Sequence, residues 1–294
     1  IRLTVGENKA IVNGSEVIFD TKAVMKGGRT FVPLRFVSEV LGAEVKWDEA
    51  TATVFVTTKE DHEAKYDPWG RLIRMTNLPK NAADYPYILA DLPNEMYEMP
   101  YPFSHPDPKE RAVSAEMYAT WPEFTKENVD LWMSRLKAFG ALWMNVDYRT
   151  IDDTWAEKLA DLQSDGNVGK LKAAQKYVDW VKENEIVMEG YLDPEPSMIY
   201  QDGFGGYQVR CRFRIKFDHF KKQEQLLYDT WFPGDMKLEN GTWVPNDTPF
   251  EKGVWYEGYS DVAMGTNVGG NWGKTLKVDA NASLFFNIMI RKAE

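Results

Sequence analysis

The chain has 294 residues, of which 44% are hydrophobic and 14% aromatic, and its formal net charge is −10. This length and composition predict two or three folded domains and exclude global disorder, while the apolar runs are far shorter than the roughly 18–20 residues of a membrane span. Because the first 60 residues are neutral, the acidic excess lies in the remainder, and it excludes nucleic acid and anionic lipid as general partners.

The first 58 residues predict a small β-sheet packed on one short helix. Alternation of apolar and polar residues indicates a half-buried first strand, whose apolar members are Ile1, Leu3 and Val5. Asn13-Gly14 is a strong hairpin signal, because both turn residues must accept positive φ. A helix is expected to start at Pro33 and to end at Gly42. Its predicted apolar face consists of Leu34, Val37 and Leu41. A hairpin over residues 43–56 completes the unit.

Within this segment, residues 27–54 form a long and specific motif that reads GGRTFVPLRFVSEVLGAEVKWDEATATV. Residues 1–58 resemble the copper amine oxidase N-terminal-like domain, also called a stalk domain. The resemblance implies a secreted or cell-surface protein of a Firmicutes-type bacterium. We therefore expect export by a signal peptide that this sequence, which starts at Ile1, does not include.

The resemblance implies neither copper nor amine oxidation, because the metal and the quinone of the enzyme lie in a different domain. The three histidines of this chain are not clustered and include no His-x-His pair. We therefore predict no metal site and no cofactor.

Residues 59–110 are predicted to be a charged linker followed by a proline-rich segment. Eight of the fifteen prolines lie between Pro68 and Pro108, among many aromatic and apolar residues. Proline favours extended backbone, but a disordered linker would not carry so much apolar surface. We predict an ordered, extended strap over residues 68–108, which packs either on its own domain or on a neighbouring copy. The predicted subunit contacts are Tyr97, Tyr101 and Phe103 of the strap, and Ile1, Leu3 and Val5 of the first strand.

Residues 111–294 predict a domain in which helices are followed by antiparallel sheet, so the fold class of the whole chain is α+β. Helices are expected after Thr125, after Asp152 or Asp153, and over residues 170–183. Strands are predicted over residues 185–192, 208–217 and 284–290. The segment 229–273, rich in Trp, Asn, Gly and Pro, is predicted to form long ordered loops.

Two groups of residues in this domain are candidates for binding. Alternation along the strand 208–217 places four cations on one sheet face, about 6.8 Å apart, namely Arg210, Arg212, Arg214 and Lys216. They could bind an anionic wall polymer or an acidic subunit surface, but neutralisation by cross-strand carboxylates such as Glu185 or Glu189 is favoured. Cys211 lies on the opposite, apolar face and is expected to be inert core.

The second candidate group consists of aromatic residues in the predicted loops. Sugar rings stack on flat aromatic faces and form hydrogen bonds with neighbouring polar groups. The alternative is that these rings hold irregular loops together without an aliphatic core. The residues are Trp243, Trp255, Tyr256, Tyr259 and Trp272.

The sequence contains no nucleophile elbow, no phosphate loop and no dinucleotide fingerprint, so no catalytic residue is predicted. The leading hypothesis is a non-enzymatic, secreted cell-surface structural or assembly protein. It would self-associate by strand addition into a homo-oligomer, a filament or a surface layer. The alternative is a surface-anchored protein that binds cell-wall carbohydrate, and a glycan hydrolase is the third option.

Overall fold

A computed structural model describes most of the chain. The described residues are 2–12, 14–49, 53–57, 65–100, 114–165, 168–201, 206–224, 226–228, 236–239, 242–245, 249–265, 272–285 and 287–293. The chain divides into two compact units, Ile1–Met75 and Thr76–Glu294. Both helices and antiparallel sheets are present, which confirms the predicted α+β class.

The described part of the first unit consists of short strands and one helix. In chain order they are β1 (Arg2–Leu3), β2 (Lys9–Val12), β3 (Ser15–Ile18), β4 (Val24–Lys26), β5 (Arg29–Phe31), α1 (Leu34–Val40), β6 (Glu44–Asp48) and β7 (Thr53–Thr57). The first three strands form a sheet in the order β1-β2-β3, and β4-β5 and β6-β7 are two-stranded pairs.

The core of the first unit uses only part of the predicted face of α1, because Val37 packs against the core but Leu34 and Leu41 do not. Phe36 is buried and stacks on Phe19, with the ring centroids 4.3 Å apart, and Ala10 belongs to the same core. Leu34 and Leu41, which were predicted to be buried, are 54% and 73% exposed. A helix of seven residues offers one narrow buried stripe, and the large ring of Phe36 removes more apolar area from water there than a leucine would.

Two glycines of the first unit have the backbone conformation that the sequence predicted. Gly42 has a φ of +84°. Its N–H donates to the Glu39 carbonyl at 3.0 Å and the N–H of Ala43 donates to the Ser38 carbonyl at 2.8 Å, which is the Schellman ending of a helix. Gly14, between β2 and β3, has a φ of +88°, and Asn13 lies outside the described residues.

The second unit begins with short helices and continues with a large sheet. Its described elements are α2 (Asn94–Glu98), α3 (Ser114–Thr120), α4 (Lys126–Trp143), β8 (Val146–Asp147), α5 (Asp153–Leu162), α6 (Lys170–Glu183), β9 (Val187–Gln201), β10 (Tyr207–His219), β11 (Met236–Glu239), β12 (Thr242–Pro245), β13 (Trp255–Gly265), the kinked α7 (Trp272–Thr275), β14 (Lys277–Val278) and β15 (Ile288–Lys292). Within the described ranges, no helix combines the length and the hydropathy that a membrane crossing requires.

The large sheet is antiparallel and has one face covered by helices. Its six strands follow the order β14-β13-β10-β9-β8, and β15 also pairs with β13. Helix α4 lies against β9, and α5 packs on α6. The face of β10 on the helix side is buried as predicted, and it consists of Val209, Cys211, Phe213, Ile215 and Phe217. Burial raises the pKa of the Cys211 thiol well above its usual value, so this thiol is an inert part of the core.

The three predicted helices are confirmed, and two of them have the predicted side-chain caps. The Thr125 side chain accepts the N–H of Asn128 at the start of α4. Asp152 accepts the N–H groups of Thr154 and Trp155 at the start of α5. Side-chain oxygens at these positions satisfy N–H groups that have no partner within the helix.

Three predictions about strands are wrong in detail. β9 does not end at Leu192 but continues to Gln201, with a bulge where Pro194 and Pro196 cannot donate to the neighbouring strand. The predicted strand 284–290 starts only at Ile288 and pairs with β13 at the side of the sheet. The segment that was predicted to form loops contains the long strand β13. Its Gly and Tyr residues resemble the composition of a loop, but they alternate between the two faces of a strand.

The described strap residues of the second unit, 76–100, pack on their own sheet. Their buried side chains form one cluster with three sheet residues: Tyr85, Ile88, Leu89, Leu92, Met96, Tyr97 and Met99 with Met198, Tyr200 and Tyr259. The strap is not extended throughout, because α2 starts directly after Pro93, where a missing N–H costs nothing.

The residues predicted to make subunit contacts have different surroundings. Tyr97 is fully buried within its own unit and therefore presents no surface to a neighbouring copy. Leu3 packs against the core of the first unit, and Val5 is 43% exposed. Ile1, Tyr101 and Phe103 lie outside the described residues.

Candidate functional site

A cleft of about 350 Å³ opens on the face of the large sheet opposite α4. It is lined by four strands and by Pro93 of the strap, and its residues are Pro93, Tyr191, Asp193, Arg212, Phe213, Arg214, Glu257, Gly258, Tyr259 and Arg291. This volume lies within the range of small-ligand sites.

The register of the sheet explains why these residues meet. Residues directly opposite one another on antiparallel strands have their side chains on the same face. Two adjacent rows cross the sheet at the cleft. The first row consists of Tyr191, Arg214, Glu257 and Arg291, and the second of Asp193, Arg212 and Tyr259.

In the second row, Asp193 is paired with two cations. Its carboxylate lies 2.6 Å from Arg212 and 3.1 Å from Lys137 of α4. Partial burial alone would raise the pKa of Asp193, but the two cations outweigh it and hold the pKa below its ordinary value. Asp193 is therefore a carboxylate at neutral pH.

The strap also contributes Glu95 at the edge of the cleft. The Tyr259 hydroxyl donates to Glu95 Oε1 at 2.9 Å, and Arg291 forms an ion pair with the same carboxylate. Partial burial and the bond to Glu95 raise the pKa of Tyr259 to about 12. Arg291 also reaches Glu257 at 3.4 Å, so it joins the strap to the first row.

Two further cations of β10 lie around the ring of Trp255. The guanidinium carbon of Arg214 is 5.5 Å from the ring centroid, and the ammonium of Lys216 is 5.3 Å from it. Lys216 also pairs with Glu189 at 2.8 Å and with Asp218 at 3.1 Å. The predicted neutralisation by Glu189 is therefore present, whereas Glu185 pairs with His219 and Lys221 instead.

Arg210 does not belong to the accessible row of cations that alternation predicted. Its side chain is fully buried against Asp261. It makes five hydrogen bonds, which match its five N–H donors: two go to Asp261 and the others to the carbonyls of Met96, Met99 and Pro100. The strap covers this end of the polar face, so Arg210 anchors the strap and is not exposed to a ligand.

Asp261 accepts two additional hydrogen bonds in the same buried network. The Tyr200 hydroxyl donates to its Oδ2 at 2.9 Å and the Asn287 amide donates to it at 2.6 Å. Asn287 also donates to the Pro100 carbonyl at 2.9 Å. Burial and the nearby Asp261 charge raise the pKa of Tyr200 well above its usual value, which keeps this phenol a donor.

The predicted aromatic group is only partly assembled at the cleft. Tyr259 lines the cleft and Trp255 supports Arg214. Tyr256 faces the other side of the sheet, where it is buried and its hydroxyl bonds the Pro249 carbonyl at 2.8 Å. The side chains of Trp243 and Trp272 lie outside the described part of the structure.

Sequence reasoning found Arg212, Arg214 and Tyr259 but missed the other charged and tyrosine residues at the cleft. The missed residues are Tyr191, Asp193, Glu257, Arg291 and Glu95. Alternation of Trp255, Glu257, Tyr259 and Asp261 along β13 was the available signal, and it places all four on one face of a strand. The partners of these residues on β9 and β15 depend on register, which the sequence does not specify.

No group of three or more metal-binding side chains occurs among the residues that the structure describes. Residues 1–56 match the family described as Copper amine oxidase N-terminal domain, which confirms the resemblance of the first segment. No curated protein and no solved structure matches the chain.

Proposed function

We propose that this chain is a secreted, non-enzymatic cell-surface protein that binds a glycan in the cleft of its second unit. The match to the N-terminal domain of copper amine oxidase covers residues 1–56, and it supports a cell-surface protein. The main observation in favour of glycan binding is that two cross-strand rows of side chains meet in one cleft of about 350 Å³. These rows contain tyrosines next to arginines and carboxylates.

The chemistry of the cleft suits a sugar. Tyr191 is 50% exposed and offers a ring face to the C–H groups of a pyranose. The cleft also contains charged side chains that can form charge-assisted hydrogen bonds with the hydroxyl groups of a sugar, namely Arg212, Asp193 and Glu257. Aromatic contact and hydrogen bonds to hydroxyls are therefore available in the same place.

Asp193 is poorly suited to be the general acid of a glycoside hydrolase. A general acid needs a carboxyl with a raised pKa, whereas Arg212 and Lys137 hold the pKa of Asp193 below its ordinary value. This direction argues against Asp193 as a proton donor to a glycosidic oxygen.

Calorimetric titration of the full chain with neutral and acidic cell-wall oligosaccharides tests the proposal. We expect at least one class to bind, and Tyr191→Ala to abolish that binding because the ring platform is lost. Tyr66→Ala is the matched control, because Tyr66 is an exposed tyrosine of the first unit. If no oligosaccharide binds, or if Tyr191→Ala binds as well as the parent protein, the cleft is not a glycan site.

Self-association by strand addition is a second candidate, which one observation favours. Among the described residues, β1 pairs only with β2 and forms one side of its sheet, so its other main-chain edge can receive a strand from another molecule. A head-to-tail contact of this kind builds a filament. The position of Val5, exposed beside β1, fits such a contact.

Sedimentation velocity over a range of protein concentrations, with negative-stain imaging, tests the assembly candidate. We expect larger species at high concentration, and only monomer after deletion of residues 1–5 or in Val5→Lys. Met25→Lys, on β4 and exposed in the parent protein, is the control that should still assemble. A monomer at all concentrations would contradict this candidate, as would assembly that survives the deletion.

The proposed location at the cell surface is tested separately from glycan binding and from self-association. Fractionation of the native cells is expected to recover the protein from the cell surface or the medium. Recovery from the cytosol alone would contradict an exported protein.

A further inference from the structure

Arg214 differs from the other cations of the cleft in its pairing. Its Nε is buried and has no hydrogen-bond partner among the described residues, and its ion pair with Glu257 spans 3.8 Å. Arg212 contacts Asp193 at 2.6 Å, and Arg291 forms a short ion pair with Glu95. Arg214 therefore lacks the close carboxylate partner that Arg212 and Arg291 each have.

The carboxylates around the cleft, in contrast, each have a cation. Asp193 lies next to Arg212 and Lys137, Glu95 next to Arg291, and Glu257 between Arg291 and Arg214. Among the residues that line the cleft, three arginines thus face two carboxylates, which leaves one positive charge in excess although the whole chain carries −10. A bound group that supplies one negative charge would complete this arrangement.

The guanidinium of Arg214 is held in place to receive such a group. Its carbon lies 5.5 Å from the centroid of the Trp255 ring, and a contact of this kind restricts a guanidinium without using its N–H donors. The flat fork of arginine matches the geometry of a carboxylate better than that of a spherical anion.

The exposed ring of Tyr191 lies directly opposite Arg214 in the register of β9 and β10. Opposite side chains on one face of a sheet are in contact distance. A sugar ring that rests on Tyr191 therefore has its substituents beside the Arg214 guanidinium.

We propose that the cleft binds an acidic saccharide, whose carboxylate is received by Arg214 and whose ring rests on Tyr191. This inference rests on the proposed glycan-binding function and specifies its ligand class. A uronate residue fits because it brings one carboxylate on a pyranose ring, which matches the single excess charge.

The test compares two ligands that share one sugar backbone: oligogalacturonate, which is charged, and the same oligosaccharide with its carboxylates converted to neutral methyl esters. Calorimetry on the full chain is expected to give a Kd for the acid that is roughly tenfold to hundredfold lower than for the ester, the range for a charge-assisted hydrogen bond. Added salt is expected to weaken binding of the acid and to leave the ester unaffected.

Arg214→Gln is expected to raise the Kd for the acid to the value for the ester. Arg149→Gln is the matched control, because Arg149 is exposed, pairs with Asp147 outside the cleft and carries the same charge. Circular dichroism shows whether each variant is folded, and the ligand pair on the parent protein gives an answer even if Arg214→Gln does not fold.

Each other outcome overturns the inference in a distinguishable way. Equal binding of acid and ester would show that the carboxylate is not recognised, while the proposed glycan function would stand. Tight binding of the acid that Arg214→Gln leaves unchanged would place the carboxylate elsewhere. If only neutral oligosaccharides bind, the ligand class is wrong, and if no oligosaccharide binds, the proposed function fails with it.

Discussion

Arg210 of β10 and Asp261 of β13 lie directly opposite each other and form a fully buried, two-pronged ion pair. Arg210 Nε is 2.8 Å from Asp261 Oδ1, and Nη2 is 3.0 Å from Oδ2. Burial alone would lower the pKa of Arg210, but the Asp261 charge and the surrounding tyrosines raise it. The pair connects the sheet to the strap, because the remaining donors of Arg210 bind the carbonyls of Met96, Met99 and Pro100.

We expect Arg210→Met to lower the free energy of unfolding by about 3–5 kcal/mol, because it leaves the Asp261 carboxylate buried without its cation. Arg212→Met is the matched control: the side chain of Arg212 is 43% exposed, and loss of an exposed pair costs about 1 kcal/mol or less. Urea unfolding followed by tryptophan fluorescence measures both. Similar losses in the two variants would contradict the role of Arg210.

The double variant Arg210→Met/Asp261→Leu separates the ion pair from the strap. Apolar replacement of both partners of a buried pair is often neutral. Here we expect the double variant to remain destabilised by about 1–3 kcal/mol. The Met96 and Met99 carbonyls lose their buried donor, and the Tyr200 hydroxyl and the Asn287 amide lose their acceptor. Full recovery of stability in the same urea experiment would mean that these carbonyls find other donors.

The hydroxyl groups of two strap tyrosines are expected to contribute differently to the free energy of unfolding. The Tyr97 hydroxyl accepts the N–H of the fully buried Leu89 at 2.9 Å, so Tyr97→Phe should cost about 1–3 kcal/mol. The Tyr85 hydroxyl donates to the Tyr97 carbonyl at 2.8 Å, but that carbonyl also accepts from Asn81. Tyr85→Phe should therefore cost less than about 1 kcal/mol.

Thermal and urea unfolding of the two tyrosine variants give the comparison. Each variant loses one hydroxyl from a buried ring of the same cluster, so each serves as the control for the other. A larger loss of stability in Tyr85→Phe than in Tyr97→Phe would show that the hydrogen bond from the Leu89 N–H to the Tyr97 hydroxyl is not the more important of the two.

Gly258 is required where β13 and β15 approach each other. A Cβ at this position would lie 1.9 Å from the Met289 carbonyl oxygen, and a backbone atom cannot move aside without separating the strands. We expect Gly258→Ala to cost about 3 kcal/mol. Gly253→Ala is the control: it has a φ of +75° and open space around it, so it should cost only about 1–2 kcal/mol of backbone strain. Equal losses in urea unfolding would contradict a steric cause.

Local features of the chain were predictable from the sequence. The caps at Thr125 and Asp152, the glycine ending of α1 and the apolar face of β10 depend on a few neighbouring residues, whose chemistry is fixed locally. The same alternation also placed Arg212 and Arg214 on one face correctly.

The cleft itself was not predictable, because it depends on contacts between distant segments. Tyr191 and Arg291 join Arg214 only through the register of β9, β13 and β15. Arg210 has the same local pattern as Arg212, but Asp261 and the strap carbonyls bury it. No period in the sequence indicates which of four equivalent cations will be covered by a segment more than a hundred residues away.

The lowered pKa of Asp193 predicts how the free energy of unfolding changes at acidic pH. Arg212 and Lys137 hold the pKa of Asp193 below its ordinary value of 3.8, so the folded protein binds the proton more weakly than the unfolded chain does. The stabilisation is therefore complete above pH 3.8, and it is lost as the pH falls through the lowered folded pKa. We expect Asp193→Asn to be less stable than the parent protein near neutral pH, and the difference to vanish in strong acid.

Urea unfolding of both proteins at several pH values measures this difference. Asp130→Asn is the control, because Asp130 pairs with Lys126 on the exposed side of α4, where a pair along one helix contributes about 0.3–0.5 kcal/mol. Its effect should be small at every pH. A stability difference for Asp193→Asn that persists in strong acid would show that the substitution acts through packing and not through the charge of the carboxylate.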